Sequence, residues 1–154
     1  MKLSALLPVA QIRVPLSART KADAIDELLA AVAFESDGQR VAARAAVLAR
    51  ESEISTGIGR GVAVPHGRTA AVARHYCAFG VAPSPIPWDA IDGAPSRLIF
   101  LCVSAEHDAA AHIRVLSQVA RVLNNSTTRH ALESAKRPED VRRVFLDDEE
   151  REGL

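Results

Sequence analysis

The chain has 154 residues, 48% hydrophobic and 25% charged, which is the composition of an ordinary one-domain globular protein and excludes a disordered or fibrous chain. Its 19 basic and 19 acidic residues cancel, so it lacks the broad electrostatic footprint of a nucleic-acid-binding protein or of one held on anionic lipid. The apolar opening MKLSALLPVAQIR is too short for a secretory signal or a membrane span, and we expect a cytoplasmic protein without membrane insertion.

An edge strand and an amphipathic helix are predicted first along the chain. The run QIRVPL, residues 11–16, mixes β-branched and polar residues and contains a proline, which is typical of a strand at a sheet edge. Thr20 followed three residues later by Asp23 resembles a capping box. Apolar residues then repeat at helical spacing, so we predict a helix over residues 21–34.

A second helix is predicted after a break in the pattern. Asp37 and Gly38 are poor helix formers, and we expect them to separate the two helices. Alanines and spaced apolar residues then favour a helix that continues to about Glu51. We interpret Arg40 and Arg44 as part of its solvated face.

The stretch STGIGRGVAVPHGRT, residues 55–69, has the most unusual composition in the chain. Glycines at alternate positions allow a tight turn whose N–H groups could approach an anion. These glycines are Gly57, Gly59 and Gly61. Pro65 restricts the residue before it to extended conformations, so residues 62–64 are predicted to form a very short buried strand. His66 is therefore expected to be held firmly at the end of that strand.

Two apolar runs are predicted to form the centre of the sheet. They cover residues 75–82 and 96–104 and are bounded by proline, glycine and aspartate, as buried strands are. The proline-rich segment between them, residues 83–96, is predicted to be a rigid loop. Cys77 and Cys102 lie in these apolar runs without the spacing of a metal or redox pair, so we expect buried free thiols.

The last third of the chain is predicted to be helical. Asp108 is a suitable N-cap for a helix over residues 109–123, whose apolar residues lie on one face. Two shorter helices are predicted at residues 127–135 and 139–146. The acidic end, residues 147–154, is expected to be a solvated and frayed tail.

These elements predict an α/β fold. Helices that alternate with short buried strands indicate a three-layer sandwich, in which a mixed sheet of about five strands has helices on both faces. We expect a single domain over residues 1–146. The sequence has no HExxH or CxxC metal motif, no nucleotide-binding P-loop and no GxSxG nucleophile motif, so neither a metal nor a cofactor is expected.

Three side chains are candidates for chemistry. A neutral imidazole is a competent nucleophile toward a phosphoryl group, and His66 has the setting for this role. His112 shares a helix face with apolar residues and, taken alone, is interpreted as a core histidine. Arg50, at the end of the second helix, would either bind a phosphoryl group or interact with the helix dipole, and the residues alone leave both open.

The combined pattern resembles a known family. The segments RESEISTGIGRGVAVPHGR, DAID and HIRVLSQVARVL occur in register over nearly the whole chain. They are similar to the type-2 IIA domains of the bacterial phosphoenolpyruvate-dependent phosphotransferase system, the fructose–mannitol group. Within that group the sequence is most similar to the nitrogen-related IIA proteins. The fold that this resemblance implies is a mixed sheet of about five strands between layers of helices.

The resemblance also implies an activity and a site. It implies a phosphotransferase in which His66 takes the phosphoryl group from a histidine-phosphorylated carrier of the HPr or NPr kind. It places His112 and Arg50 in the same pocket, which favours the functional interpretation of both. It further implies a phosphoryl-binding loop at Thr56, Gly57, Gly59 and Gly61.

The resemblance leaves two downstream roles open. A nitrogen-type protein is a regulator that binds target proteins according to its phosphorylation state, and the lack of a IIB sequence within these 154 residues favours this role. A sugar-transport IIA protein instead passes the phosphoryl group to a cysteine of a IIB domain for fructose- or mannitol-type uptake. Arg60 departs from the family pattern, since relatives usually carry a small polar residue there. It would add positive charge near the phosphoryl group or alter the partner surface.

Overall fold

The computed structural model describes every residue from Met1 to Leu154. It contains five α-helices, which are α1 (Lys21–Ala31), α2 (Asp37–Glu53), α3 (Ala109–Asn124), α4 (Ser126–Glu133) and α5 (Pro138–Glu152). It contains six strands, which are β1 (Ile12–Arg13), β2 (Gly57–Gly59), β3 (Val62–Ala63), β4 (His66–Thr69), β5 (Tyr76–Ile86) and β6 (Ser96–Ala105). None of the helices has the length and apolarity that a membrane crossing requires.

The six strands form one mixed sheet. Its order is β1-β5-β6-β3-β2. β3 and β4 pair with the same side of β6, β3 near the start of β6 and β4 near its end. β5 and β6 are antiparallel at the centre, whereas β3 and β4 run parallel to β6. β1 lies at the edge, as predicted for residues 11–16. The strands predicted one by one omit β2 and β4. The glycines of β2 were interpreted as part of a turn, and the prediction ended a strand before Pro65 without beginning another at His66.

Helices cover both faces of the sheet, which confirms the three-layer α/β fold. Neighbouring residues of β6 point to opposite faces, and both faces are apolar because both are covered. Phe100 packs against Phe145 of α5, with ring centroids 6.3 Å apart, on the face that α3, α4 and α5 cover. Ile99 lies on the other face, in one cluster with Leu28 of α1 and Val47 of α2.

The first two helices begin at side-chain caps. Thr20 accepts a hydrogen bond from the N–H of Asp23, as the predicted cap requires. α1 ends at Ala31 rather than at residue 34. Asp37 and Gly38 were expected to lie in a break, but both belong to the first turn of α2. The helix begins there because Ser36, directly before Asp37, is its N-cap. An aspartate in the first turn is favourable there, since it faces the positive end of the helix dipole.

β5 extends farther than predicted, through two prolines to Ile86. The pairing register with β6 shifts between Val81 and Ile86, and residues 83–85 inside this irregularity are exposed. Pro83 and Pro85 fit there because a bulged segment does not need every ladder hydrogen bond. The predicted rigid loop is therefore shorter and occupies residues 87–95.

The expected solvated tail is corrected by the structure. α5 continues to Glu152, and Asp148 and Glu149 are buried. Glu149 accepts hydrogen bonds from the backbone N–H and the hydroxyl of Ser4, at 2.8 and 2.7 Å. Asp148 pairs with Arg121 of α3 at 2.8 Å. Acidic residues in sequence suggest a solvated tail, but these two have partners far away in the chain, so the domain does not end at residue 146.

Candidate functional site

Three of the predicted site residues lie in one cleft. A cavity of about 440 Å³ is lined by residues of α2, β4, the turn after β6 and the start of α3. Its lining residues are Ala46, Ala49, Arg50, Glu53, His66, Gly67, Arg68, Glu106 and His112. The structure therefore brings together the two histidines and the arginine, although Arg50 and His112 are 62 positions apart in sequence. No group of three or more His, Cys, Asp or Glu side chains is placed to hold a metal ion.

His66 is held in one orientation by its own chain. It is the first residue of β4 and pairs in register with Cys102 of β6. Its Nδ1 lies 2.7 Å from the backbone carbonyl oxygen of Val64. Because a carbonyl oxygen only accepts hydrogen bonds, Nδ1 carries the proton and Nε2 keeps a free lone pair. The ring is half-buried, so Nε2 is available in the cleft as a nucleophile.

The surroundings of His66 favour the neutral imidazole. Burial lowers the pKa of His66 below its ordinary value of 6.5, and the positive charge of Arg50 lowers it further. The hydrogen bond to Val64 opposes this shift without reversing it. A neutral ring is the form that has a lone pair on Nε2, so the cleft keeps His66 nucleophilic at neutral pH.

We expect the pKa of His66 to be below 6.5 when it is followed by the chemical shift of its ring protons in an NMR titration. The unfolded chain then binds this proton more tightly than the folded chain does. The contribution of His66 to the free energy of unfolding is therefore complete above pH 6.5 and is lost as the pH falls through the folded pKa. A midpoint at or above 6.5 would contradict the effect of burial.

His112 is buried and also lines the cleft. It lies in the first turn of α3, which Asp108 caps by accepting a hydrogen bond from Ala111 N–H at 3.1 Å. It is 7% exposed, so it is a core residue, yet its ring centroid is 5.4 Å from that of His66. Its Nδ1 lies 2.7 Å from the hydroxyl oxygen of Ser104 at the end of β6. Its other nitrogen is thereby turned toward the cleft.

Arg50 makes a contact at the helix end and also lines the cleft. It lies in the last turn of α2, and its Nη1 donates to the carbonyl oxygen of Ile54 at 2.8 Å. This bond satisfies a carbonyl group at the helix end and places a cation at the negative end of the dipole. A guanidinium has five N–H donors, so the remaining ones are free to bind an anion in the cleft.

The residues expected to form a phosphoryl-binding loop do not line this cleft; they are Thr56, Gly57, Gly59 and Gly61. Val62, directly after the loop, pairs with Leu98 of β6, whereas His66 pairs with Cys102. Four residues along a strand separate these two positions by about 13 Å. Gly59 is the last residue of β2, and Gly61 lies in the turn between β2 and β3. Neither of them lines the cleft.

The loop amides are used within the protein. Gly59 and Gly61 have positive φ angles of 88° and 77°, so the predicted tight turn is present. The N–H of Arg60 donates to the carboxylate of Asp92 at 2.9 Å, and its guanidinium donates to the side-chain oxygen of Asn124 at 2.7 Å. The turn is thus closed by contacts with the chain itself, and the charge of Arg60 lies outside the cleft that holds His66.

Thr56 has a structural partner that the sequence analysis missed. Glu51 is buried and accepts hydrogen bonds from the Thr56 backbone N–H at 2.8 Å and from its hydroxyl. The indole N–H of Trp88 lies 3.2 Å from the same carboxylate, and Lys21 is also 3.2 Å away. Glu51 therefore joins the end of α2 to the loop, and it directly follows Arg50. Thr56 is accordingly not placed to bind a ligand in the cleft.

Replacing Glu51 by alanine should lower the free energy of unfolding by about 3 kcal/mol. It leaves the buried N–H and hydroxyl of Thr56 without their acceptor, and it removes one of the two acceptors of the Trp88 indole N–H. Urea denaturation measures this loss. The matched control is Glu53→Ala, which removes an exposed glutamate two residues farther along the same helix end. Equal stability of the two variants would show that the buried carboxylate does not join these elements.

The cysteines are buried free thiols, as predicted. Cys77 of β5 lies directly opposite Cys102 of β6 in the antiparallel pair. A hydrogen bond with Cys102, together with burial, raises the pKa of the Cys77 thiol, so this group stays protonated.

Ser104, two residues after Cys102, is a second residue that the sequence analysis missed. A serine at the end of an apolar strand gives no signal of its contact with His112.

Comparison with known proteins identifies the family of this chain. Residues 5–148 match the family model described as "Phosphoenolpyruvate-dependent sugar phosphotransferase system, EIIA 2". The chain is 32% identical over 139 residues to the fructose-specific EIIABC component of Bacillus subtilis. This alignment covers 88% of this chain and 22% of that protein. The chain is also 31% identical over 137 residues to a nitrogen regulatory protein of Bradyrhizobium diazoefficiens. That alignment covers 88% of this chain and 89% of the relative.

A solved structure shows the same fold. The nitrogen regulatory protein IIA-Ntr of Neisseria meningitidis superposes with a TM-score of 0.84 at 31% identity, over 93% of this chain and 98% of that one. The similarity thus extends to nitrogen-regulatory and to sugar-specific proteins at about the same identity. Since the family match spans nearly the whole sequence, the chain belongs to the EIIA type 2 family of the phosphoenolpyruvate-dependent sugar phosphotransferase system.

Proposed function

We propose that this protein accepts a phosphoryl group on Nε2 of His66 from a phosphohistidine carrier of the HPr or NPr kind. We further propose that the phosphorylation state of His66 serves as a regulatory switch of the nitrogen type. The observation that carries the proposal is the cleft itself, where an oriented imidazole lies beside a second imidazole and a guanidinium. These three groups supply a nucleophile and two donors for phosphoryl oxygens.

The bonds that form and break in the transfer step involve only the two imidazoles and the phosphoryl group. The lone pair of His66 Nε2 forms the new N–P bond while the N–P bond to the carrier histidine breaks and its electron pair returns to the carrier ring. The proton on Nδ1 stays in place, because the carbonyl oxygen of Val64 accepts its hydrogen bond at 2.7 Å. That carbonyl also stabilises the positive charge that the ring gains when it is phosphorylated.

His112 and Arg50 are assigned to the transferred phosphoryl group. Its charge is spread over three equatorial oxygens in the transition state, so catalysis depends on positioned donors more than on covalent chemistry. His112 approaches from α3 and Arg50 from α2, on either side of β4. Donors fixed on two different elements hold the oxygens in line with the attacking nitrogen.

The surface beside the cleft suits a transient protein partner. Ile54, next to Arg50 in the fold, is 65% exposed, and Ile113, next to His112, is 62% exposed. Apolar side chains at the rim of a charged cleft favour docking of the carrier, which must bring its own histidine into line with His66. Interfaces of this transient class are small and weak, which allows release after each transfer.

A second function has support from one observation. The similarity to fructose-specific components is as high as that to nitrogen regulatory proteins, at 32% and 31% identity. In this alternative the phosphoryl group passes from His66 to a cysteine of a IIB domain during sugar uptake. Adding such a IIB domain to the phosphorylated protein separates the two functions, because only a sugar-transport component should lose its phosphoryl group to it rapidly.

The proposal is tested by intact mass spectrometry. The protein is incubated with phosphoenolpyruvate, enzyme I and an NPr-type carrier, and in parallel with an HPr-type carrier. A gain of one phosphoryl group that is lost in acid supports phosphohistidine formation. No gain with either carrier would refute the proposal.

A further inference from the structure

A row of buried polar side chains leads from the middle of the sheet to His112. Ser104 is fully buried, and its hydroxyl oxygen lies 2.7 Å from His112 Nδ1. The same oxygen lies 3.5 Å from the sulfur of Cys102. Cys102 in turn faces Cys77 across the β5–β6 pair. The function proposed above uses neither Ser104 nor the cysteines, although their row ends on a cleft residue.

Two placements of the hydrogen atoms fit these distances. In the first, the Ser104 hydroxyl donates to His112 Nδ1, and the Cys102 thiol donates to the Ser104 oxygen. In the second, His112 Nδ1–H donates to Ser104, and the hydroxyl donates to the sulfur. A thiol is a weak donor as well as a weak acceptor, so the contact with sulfur does not by itself choose between the two placements. The first placement makes the Ser104 hydroxyl the donor to the ring of His112. It leaves His112 with its proton on Nε2.

The position of His66 favours the first placement. Its Nδ1 proton is committed to the carbonyl of Val64, so its Nε2 presents a lone pair to the cleft. The centroids of the two rings are 5.4 Å apart. If His112 carried its proton on Nδ1, two unprotonated nitrogens would face the same small space and repel each other. A proton on His112 Nε2 replaces this repulsion with a donor that faces an acceptor.

We propose that Ser104 is a positioning residue that fixes His112 as the tautomer protonated on Nε2, so that this nitrogen donates into the cleft. The value of this donor for phosphoryl transfer rests on the function proposed above. The tautomer itself does not, since it is a property of the unphosphorylated protein.

Long-range proton–nitrogen NMR correlation of protein labelled with ¹⁵N-histidine tests the tautomer. In the wild type we expect His112 Nδ1 to resonate as an unprotonated nitrogen and Nε2 as a protonated one. Ser104→Ala should move both resonances toward the average of the two tautomers, and Ser104→Thr, which keeps the hydroxyl, should restore them. The control is Ser96→Ala, a buried serine on the same strand whose hydroxyl has no partner.

Two results would overturn the inference: a wild-type His112 protonated on Nδ1, or a wild-type pattern that persists in Ser104→Ala. If that variant does not fold, Ser104→Cys replaces it, because a thiol of similar size is a weaker donor. The rate of phosphoryl transfer to His66 should also fall about tenfold in Ser104→Ala, the effect of losing one neutral hydrogen bond. A wild type that shows the Nε2 proton but gains no phosphoryl group would refute the proposed function and support this inference.

Discussion

The variant His66→Asn is expected to gain no phosphoryl group under conditions that phosphorylate the wild type completely. Asparagine can keep a hydrogen bond to the carbonyl of Val64, because its amide N–H₂ donates as Nδ1–H does in the native ring. It has no counterpart of Nε2, so only the nucleophilic atom is removed. Intact mass after incubation with phosphoenolpyruvate, enzyme I and the carrier measures the loss. The loss should be complete, since His112, the other imidazole in the cleft, is proposed to present an N–H there and not a lone pair.

A matched control guards against a general effect of histidine replacement. His130 is exposed on α4 and does not line the cleft, so His130→Ala should be phosphorylated as fully as the wild type. Labelling that survives in His66→Asn would move the acceptor to another histidine. His112 would then be the first to test, because it is the other imidazole in the cleft.

The core of this fold is readable from the sequence, because long apolar runs have few alternatives. The runs at residues 75–82 and 96–104 become the paired central strands, and the helical spacing after Asp108 becomes α3. His66 was predicted from local chemistry, since the short predicted strand and the proline before it limit where its ring can point. These features depend on neighbours in sequence, which is why they were predictable.

The remaining features depend on residues that are distant in sequence. Glu51 and Trp88 meet only because the proline-rich loop folds back onto the end of α2. Glu149 is buried only because Ser4 reaches it from the other end of the chain. The glycine loop has the composition of an anion site, yet it closes a hairpin away from His66. Residue types alone do not show which partner satisfies a donor or an acceptor.

The variant Gly67→Ala is expected to have the second largest effect, although it removes no chemical group. Gly67 follows His66 in β4, where the backbone of α2 passes directly over the strand. A Cβ atom there would lie 2.8 Å from both the carbonyl carbon of Ala46 and the amide nitrogen of Val47. Backbone atoms within a helix cannot turn aside as a side chain can, so α2 as a whole must move away from β4.

That movement should lower both stability and the rate of transfer. Overpacking of this kind costs about 1–3 kcal/mol, which urea denaturation measures. α2 also carries Arg50, and a displacement of about 1 Å at a catalytic group can lower a rate by about 10²-fold. The matched control is Gly38→Ala in the first turn of the same helix, where the nearest atom to the new Cβ is a serine oxygen at 3.7 Å. Gly38→Ala should be neutral or slightly stabilising, because alanine favours the helix. If Gly67→Ala behaves in the same way, α2 does not hold Arg50 against the strand that carries His66, and the cleft is not assembled by this contact.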